Sequence, residues 1–415
     1  MSSPPKVLII GCGVAGPVLS LLLKNKGYQP VIYEKVKMLG EAGGSLMLNP
    51  NGMKVLNMVR KIDDLLEGTA TLPLSDFWHG TNTGETLAHN SLGTEFVAKY
   101  SQPSMGIKRT TLNLQLKKML LDRGSELHEG YELINIEEDT DCVTAHFSNG
   151  QSATGAFLVG CDGIKAASRR IFLEKAGTNE GAPSFTGLTQ TGGISKTPKA
   201  LAEKPGTLHN WYGAGVHVVA YPISTTHTSW AVTLPQASEQ PETWALASGE
   251  ELADRQKMLL AKLEGFEPVV LELVKAVERI ISFGLFDRVT LDREGWFSKR
   301  CVLVGDAAHP TSPHLGQGAN QALEDCYHLS RLLPQVKDDA KFDEYVDLSK
   351  IFDEFAGIRQ PRTSALVKGA RKMGEERVVT GGPELCRQRD AQIAARFGDL
   401  ETLKKSFDGL YSEPF

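Results

Sequence analysis

Three closely spaced glycines are the first residues in this chain whose spacing suggests chemistry. Gly11, Gly13 and Gly16 follow an apolar run at 7–10 and open a predicted helix over 14–26. In such a strand–turn–helix unit the first glycine permits the tight turn, and the second lets a pyrophosphate approach the backbone. The third allows the helix to pack closely on the strand. The pattern therefore predicts a dinucleotide-binding turn.

The residues around this turn suit phosphate and ribose. Val14 and Ala15 begin the predicted helix, where free N–H groups and the positive end of the helix dipole attract phosphate. Glu34 follows the predicted strand at 30–33, where a carboxylate can accept hydrogen bonds from ribose hydroxyls and would repel a 2′-phosphate. Lys35 either neutralises phosphate or is a solvated surface charge.

A second signature lies far along the chain. An apolar run at 302–304 predicts a buried strand that leads into Asp306, whose carboxylate can bind a ribityl hydroxyl. A helix is predicted over 318–333, and its N-terminus suits the negative charge of a reduced flavin. The other candidate cofactor-binding residues here are Pro313, Gly316, Gly318 and Asn320. A plain nicotinamide domain has no use for such a distant second contact, so the two signatures together indicate FAD.

These motifs resemble those of the single-component FAD-dependent monooxygenases, the aromatic-hydroxylase class with the para-hydroxybenzoate hydroxylase fold. The resemblance covers about residues 5–370 and is strongest for the salicylate-hydroxylase-like branch. It rests on the two signatures above and on Gly160-Cys161-Asp162-Gly163. It implies that Arg109 binds FAD and that Asp162 takes part in FAD and NAD(P)H handling. Gly44 is a further candidate for binding the cofactor.

The order of predicted elements indicates an α/β protein. We expect a Rossmann-like FAD-binding domain with an inserted β-sheet substrate domain and C-terminal helices. Alternating residues predict strands at 131–138 and 141–147, then a turn at 148–150, with further strands within 185–234. Helices are predicted over 110–123, 250–276, 318–333 and 341–372. The FAD-binding domain is assigned 1–75, 106–180 and 286–340, the substrate domain 76–105 and 181–285, and the C-terminal helices 341–415.

Polar residues of the central strands are candidates for the substrate pocket. Tyr212 and His217 are candidate catalytic residues, and Gln190 and Tyr221 are candidate substrate contacts. Strand alternation puts His217 and Tyr221 on one face, and Tyr212 on the other unless the turn at Gly213 resets the register. Each of these side chains could instead pack the sheet.

Two histidines and an arginine pair need a separate interpretation. His314 lies on the proline loop expected to pass over the isoalloxazine, and it is a candidate acid, base or substrate contact. His309 is expected to brace that loop. The pair Arg169-Arg170 either belongs to the NADPH site or only starts a helix.

Composition narrows the class of protein. A net charge of −5 offers no basic field for nucleic acid. The six cysteines are scattered without metal-ligand spacing, so no metal site is expected. No apolar run is long enough to span a membrane, and the first residues leave no room for a signal peptide. We therefore expect a cytoplasmic monomer or homodimer.

The resemblance implies an enzyme that consumes NADPH or NADH and O2. Reduced FAD would form a C4a-hydroperoxide that delivers one oxygen atom to a small aromatic or heteroaromatic substrate such as a phenol or indole, by hydroxylation or epoxidation. The alternatives are a flavin oxidase or dehydrogenase, and a flavin-binding redox protein without turnover. Only one dinucleotide turn is visible in the sequence, so the hydride donor is expected to bind on the protein surface. The flavin is then expected to reach it by swinging between an inner and an outer position, as the resemblance implies.

Overall fold

The computed structural model describes residues 4–38, 44–60, 66, 69, 71–238, 246–337 and 342–415. Residue 341, where a helix is predicted to begin, and the first three residues lie outside this part of the chain. Its strands are β1 Lys6–Ile10, β2 Gln29–Glu34, β3 Ser45–Leu48, β4 Asp76–Thr81, β5 Thr86–Asn90, β6 Met105–Lys108, β7 Glu126–Glu129, β8 Leu133–Glu138, β9 Val143–Phe147, β10 Ser152–Gly155, β11 Phe157–Gly160, β12 Ser184–Lys196, β13 Thr207–Gly213, β14 Val216–Pro222, β15 His227–Pro235, β16 Val277–Asp287 and β17 Cys301–Leu303.

The helices interleave with these strands. They are α1 Ala15–Lys24, α2 Pro50–Val59, α3 Phe96–Tyr100, α4 Arg109–Asp122, α5 Ala167–Lys175, α6 Lys199–Ala202, α7 Gly249–Lys262, α8 Pro268–Lys275, α9 Gly318–Leu332, α10 Phe342–Tyr345, α11 Leu348–Arg377, α12 Pro383–Gly398 and α13 Leu400–Tyr411. Short 3-10 turns span Leu92–Glu95, Arg293–Trp296, Gly305–Ala307 and Pro313–Leu315.

A five-stranded parallel sheet forms the first layer, in the order β17-β11-β1-β2-β7. Its central strands are short apolar runs buried almost completely, because helices cover one face and the three-stranded sheet β10-β9-β8 covers much of the other. Parallel strands end at the same edge, so the residues that follow β1, β2, β11 and β17 converge there. The predicted α/β fold class with a dinucleotide-binding sheet is therefore confirmed.

The prediction of two continuous helices is wrong, because each stretch is interrupted. The helical stretch predicted over 250–276 is two helices, because Gly265 adopts a positive φ of 80° and Pro268 starts a new helix at its first turn. The stretch predicted to 372 is also broken, before Leu348. There the Asp347 side chain accepts a hydrogen bond from the Lys350 N–H group and caps α11, which runs on to Arg377.

A seven-stranded sheet forms the second layer, in the order β16-β12-β15-β14-β13-β4-β5. Trp211 and Trp230 lie on its outer face, which packs on α7 and α8 to form a separate apolar core. The opposite, inner face carries alternate residues of the same strands and is turned toward the first layer. This is where Tyr221 of β14 meets Ser45 of β3, at 2.6 Å between their hydroxyl oxygens.

Helix α11 links the two layers over its 30 residues. Near its middle, the fully buried Arg359 guanidinium contacts Glu324 and Asp325 of α9, each at 2.6 Å. Burying a charge is costly unless it is paired in this way. The far end of α11 reaches the inner face of the seven-stranded sheet. Among the described residues, no helix is long and apolar enough to cross a lipid bilayer.

Candidate active site

The three glycines of the turn after β1 have different surroundings: two are closely packed and one faces open space. Gly11 has a φ of 106°, and a Cβ added there would lie 2.4 Å from the Cys161 carbonyl oxygen. A Cβ added to Gly16 would lie 2.1 Å from the Gly11 carbonyl oxygen. At Gly13, in contrast, no described atom comes within 4 Å of an added Cβ. Gly11 and Gly16 are thus required by the fold, whereas Gly13 faces a cradle wide enough for a phosphate.

The surroundings of this cradle match a dinucleotide. Helix α1 has no side-chain cap at Val14 and no acidic residue in its first turn, so its N-terminus is suited to an anion. The Glu34 carboxylate is held beside the turn, because it accepts hydrogen bonds from the N–H groups of Cys12, at 2.7 Å, and Val36, at 3.0 Å. Lys35 is exposed next to it.

Asp306 lies at the same edge of the parallel sheet, just after β17. Its side chain is exposed, and its Oδ1 atom is 3.8 Å from where a Cβ on Gly318 would stand, at the start of α9. The turn needs Gly305, which has a φ of 63° and would contact Ala322 with any side chain. The carboxylate and the helix N-terminus therefore flank one open region.

Asn320 holds the proline loop in place. Its side chain accepts from the Asn49 N–H group at 2.9 Å and donates to the carbonyls of Met47, at 2.9 Å, and Gly316, at 2.8 Å. Gly316 itself has a φ of 61°. All side-chain polar atoms of Asn320 are thus used between β3, α2 and the loop, while Pro313 at the loop's start is exposed.

Three further predicted cofactor residues, Gly44, Arg109 and Asp162, are held by local hydrogen bonds. Arg109 starts α4, and its N–H group donates to the Gly44 carbonyl at 3.0 Å, which brings both residues together. Asp162 lies before α5 and bonds to its first turn: it accepts from the N–H group of Ser168 at 3.0 Å and from the Ser168 hydroxyl at 2.5 Å. Burial raises the pKa of Asp162 against these hydrogen bonds.

The residues present fit FAD. An open phosphate cradle at Gly13, a carboxylate at Glu34 and a second carboxylate at Asp306 lie along one sheet edge. They match the pyrophosphate, the adenine-side ribose and the ribityl chain of this dinucleotide in chemistry and order. Among the described residues, no cluster of three or more His, Cys, Asp or Glu side chains could hold a metal ion.

Four polar residues form a row across the inner face of the seven-stranded sheet. Tyr212 lies opposite His217, His217 opposite Thr233, and Thr233 opposite Gln190. The Gln190 amide donates to the Thr233 hydroxyl at 3.2 Å. Directly opposed residues share a face, so the turn at Gly213 does reset the register. Tyr212, His217 and Tyr221 therefore all face inward.

At the Tyr212 end of this row, neutral side chains form a buried cluster. The Tyr212 hydroxyl lies 2.9 Å from Nδ1 of His79, and Nε2 of His217 lies 3.1 Å from the amide oxygen of Asn210. Burial and the charge of Arg377 lower the pKa of His79 to about 3, and that of His217 well below its ordinary value. Nδ1 of His217 has no hydrogen-bond partner among the described residues, so it is a free buried acceptor.

His314 faces the row from the proline loop, close enough to affect the pKa of His217. The region between this loop and the row on the sheet is the candidate substrate cleft. The side chain of His314 is buried, and burial and Arg377 lower its pKa to about 3. Nε2 is directed at the backbone of Gly374, where an added Cβ would be 2.4 Å away. One edge of the ring is therefore occupied by α11.

Tyr221 lies at the other end of the cleft. Its hydroxyl joins that of Ser45, which also contacts the Ser229 hydroxyl at 2.6 Å. Burial raises the pKa of Tyr221. A Cβ on Gly106 would touch its ring at 2.6 Å, so the ring is clamped between the two layers.

His309 and the arginine pair have structural surroundings. Nε2 of His309 lies 2.6 Å from Asp325, whose pKa falls to about 2 because His309 and Arg359 outweigh the effect of burial. Arg169 is buried against Glu180 and backbone carbonyls, and Arg170 pairs with its helix neighbour Glu174.

Sequence reasoning missed the contribution of the C-terminal helices. Arg377 ends α11 beside His314, and Arg389 of α12 donates to the Gly213 carbonyl and lies 5.6 Å from the Tyr212 ring centre. Phe397 stacks on His79 with ring centres 3.8 Å apart. The sequence of these C-terminal helices contains no recognisable motif. Only their contacts with the sheet show that they border the cleft.

Known proteins are similar to this chain in sequence and in architecture. Residues 5–347 match the family model described as FAD binding domain. The chain is 31% identical over 405 residues to 3-amino-4-hydroxybenzoate 2-monooxygenase of Streptomyces platensis, covering 96% of this chain and 95% of the relative. It is 28% identical over 344 residues to 6-hydroxynicotinate 3-monooxygenase of Pseudomonas fluorescens, covering 81% and 84% of the two chains.

Solved structures show the same fold. Klebsiella pneumoniae HpxO complexed with FAD and uric acid superposes with a TM-score of 0.82 at 23% identity, over 99% of this chain and 97% of that one. A salicylate hydroxylase substrate complex gives a TM-score of 0.75 at 20% identity, over 100% and 99%.

Proposed function

The chain belongs to the family of FAD-dependent aromatic hydroxylases, and from that premise we propose that it uses NADPH or NADH and O2 to hydroxylate an aromatic or heteroaromatic ring. The observation that carries this proposal is the inward row of Tyr212, His217 and Gln190 facing the proline loop, beside an open FAD cradle. Such a cleft can hold a flat polar ring between the sheet and the cofactor side of the protein.

The names of the relatives support a narrower substrate class. The enzymes acting on 3-amino-4-hydroxybenzoate and 6-hydroxynicotinate both take a ring that bears a carboxylate and a hydroxyl. A ring hydroxyl donates electron density and makes neighbouring carbons nucleophilic, which is what oxygen transfer to the ring needs. A hydroxylated aromatic acid is therefore the substrate class we propose, and hydroxylation rather than epoxidation is the outcome that keeps its ring aromatic.

FAD, when held by the residues around Gly13, Glu34, Arg109 and Asp306, would accept hydride from NAD(P)H and activate O2. The protein supplies orientation and a dry cleft. The free Nδ1 of His217 is placed to accept a hydrogen bond from the ring hydroxyl. The Gln190 amide and Tyr212 hydroxyl orient the ring, and His314 closes the cleft against water.

The test is oxygen incorporation under 18O2. Purified protein with FAD is incubated with NADPH or NADH and a set of hydroxylated aromatic acids, including 3-amino-4-hydroxybenzoate, 6-hydroxynicotinate and 3-hydroxybenzoate. We expect one labelled oxygen atom in the product. Hydrogen peroxide together with an unlabelled oxidised product would instead indicate a flavin oxidase.

The role of His217 has its own control. His217→Ala should lower kcat/KM by roughly tenfold or more, because the ring hydroxyl loses its buried hydrogen-bond acceptor, with FAD content unchanged. His227→Ala on the neighbouring strand removes a histidine that pairs with Glu278 away from the row, and it should leave activity near that of the wild type. Equal activity of the two variants would remove His217 from the mechanism.

A further inference from the structure

Arg377 is a cation placed at the inner end of the cleft. It is the last residue of α11, and its Nη1 atom donates to the His314 carbonyl at 3.0 Å. The guanidinium is also close enough to Tyr212 that its charge opposes the rise in the Tyr212 pKa that burial causes. Its Nε atom is buried and has no hydrogen-bond partner among the described residues. The Nε–H group of the guanidinium is therefore an unused donor, next to the residues proposed to orient the substrate.

The charge of Arg377 has no acidic partner in the described part of the chain. No described carboxylate oxygen lies within 4 Å of its guanidinium, and the adjacent Glu376 pairs with Arg396 at 2.7 Å. The second arginine near Tyr212, Arg389, is already bonded to Asp390 and to the Gly213 carbonyl. Burial lowers the pKa of Arg377. An enclosed cation without a counter-ion is costly, so a ligand that brings a negative charge gains from binding there.

The cleft in front of Arg377 remains accessible. Val219, Ala231 and Gln190 lie on the inner face of the sheet but are only half-buried, and Arg377 is half-buried as well, although the sheet, α11 and the proline loop surround it. Facing surfaces that keep accessible area inside a fold enclose a space. The histidines around it are neutral, because burial and Arg377 itself lower their pKa values. They therefore donate and accept hydrogen bonds there but add no second charge.

Resting on the proposed function, we propose that Arg377 binds the carboxylate of the aromatic acid and so selects anionic substrates. A guanidinium suits a carboxylate because its planar N–H groups match the two oxygens. Anchoring the acid group at α11 leaves the ring beside Gln190 and His217 of the same row. The position of Arg377 then decides which ring carbon faces the cofactor.

The experiment measures binding of matched acids and amides. Calorimetric dissociation constants are determined for 3-hydroxybenzoate and 4-hydroxybenzoate and for 3-hydroxybenzamide and 4-hydroxybenzamide, with wild type and Arg377→Met, both loaded with FAD. We expect wild type to prefer the acids by roughly tenfold to a hundredfold, the range for one charge-assisted contact. In Arg377→Met the acids should lose that preference while the affinities for the amides stay within about twofold.

Two more variants keep the result interpretable. Arg377→Lys retains the charge without the fork, and it should keep part of the preference for acids. Arg371→Met removes an exposed arginine from the same helix and should leave the preference unchanged. A preference that persists in Arg377→Met, or equal weakening of acids and amides, overturns the inference, as does wild type that binds none of the acids.

The outcome is separable from that of the proposed function. Incorporation of 18O into phenols without any dependence on the carboxylate or on Arg377 would sustain the hydroxylase and reject this anchor. Selective binding of acids through Arg377 without label in any product would do the reverse.

Discussion

The imidazole of His314 lies against the backbone of Gly374, so closely that a Cβ built at position 374 would stand 2.4 Å from Nε2 and 2.5 Å from Cδ2. Gly374 lies in the last turn of α11, where its φ is not positive and the backbone does not require glycine. The contact joins the proline loop to the helix that also carries Arg377. A glycine is thus required here by the fit of one ring, and not by the backbone conformation of the helix.

Gly374→Ala should displace His314. Because the added methyl group overlaps a buried ring, we expect unfolding free energy to fall by roughly 1–3 kcal/mol, together with weaker substrate binding. Gly369→Ala is the matched control: it lies on the same helix and would contact Leu315 of the same loop at an ordinary 3.6 Å. That variant should be neutral or more stable by about 0.5–1 kcal/mol. Chemical denaturation and calorimetric titration measure both; equal stabilities would contradict the contact.

Gly13→Ala and Gly16→Ala should fail in different ways. Position 13 has room for a methyl group, so the FAD-free protein should unfold at the wild-type midpoint while FAD binds about tenfold or more weakly. A Cβ at position 16 meets a backbone oxygen that cannot move alone, so unfolding free energy should fall by roughly 1–3 kcal/mol or more. Thermal unfolding and FAD titration of the FAD-free proteins measure this. Normal FAD affinity in Gly13→Ala would show that the pyrophosphate lies elsewhere.

Asp306→Ala should weaken FAD binding roughly tenfold to a hundredfold, because it removes charge-assisted hydrogen bonds worth about 1.5–3 kcal/mol. Its side chain is exposed, so the stability of the FAD-free protein should hardly change. Asp306→Asn keeps an acceptor oxygen, so its FAD affinity should lie between those of the wild type and Asp306→Ala. Flavin fluorescence during titration gives the affinities, and full flavin occupancy of Asp306→Ala after dialysis would reject this role.

His79 should make the protein less stable in acid. Its pKa is about 3 in the folded state, from burial and Arg377, against an ordinary 6.5. Below pH 6.5 the unfolded chain therefore binds a proton that the folded protein excludes, so the stability present above that pH is lost as pH falls. The expected contribution is roughly 1.4 kcal/mol per pH unit for this histidine. Urea unfolding from pH 7.5 to 5 should show a shallower decline in His79→Phe, and parallel curves would count against the shift.

The cofactor side of the protein was predictable from sequence because its signals are local. Gly11, Gly13 and Gly16 lie within one turn, and the strand before them and the helix after them are readable from periodicity alone. Glu34, the last residue of β2, and Asp306, three residues after β17, could be placed at one sheet edge because the carboxyl ends of parallel strands share an edge. Asp162 and Asn320 show the limit of this reasoning, since their polar atoms hold Ser168 and the proline loop.

Only the tertiary structure decided which side chains meet around Tyr212 and Arg377. Tyr212 meets His79, which lies 133 positions away in the chain, and Arg377 meets the His314 carbonyl, 63 positions away. Alternation along a single strand left the face of Tyr212 open, because the hairpin turn sets the pairing with His217. The sequence by itself determined the dinucleotide turn and the class of fold. The substrate side depends on strand register and helix packing between distant segments, which no local period encodes.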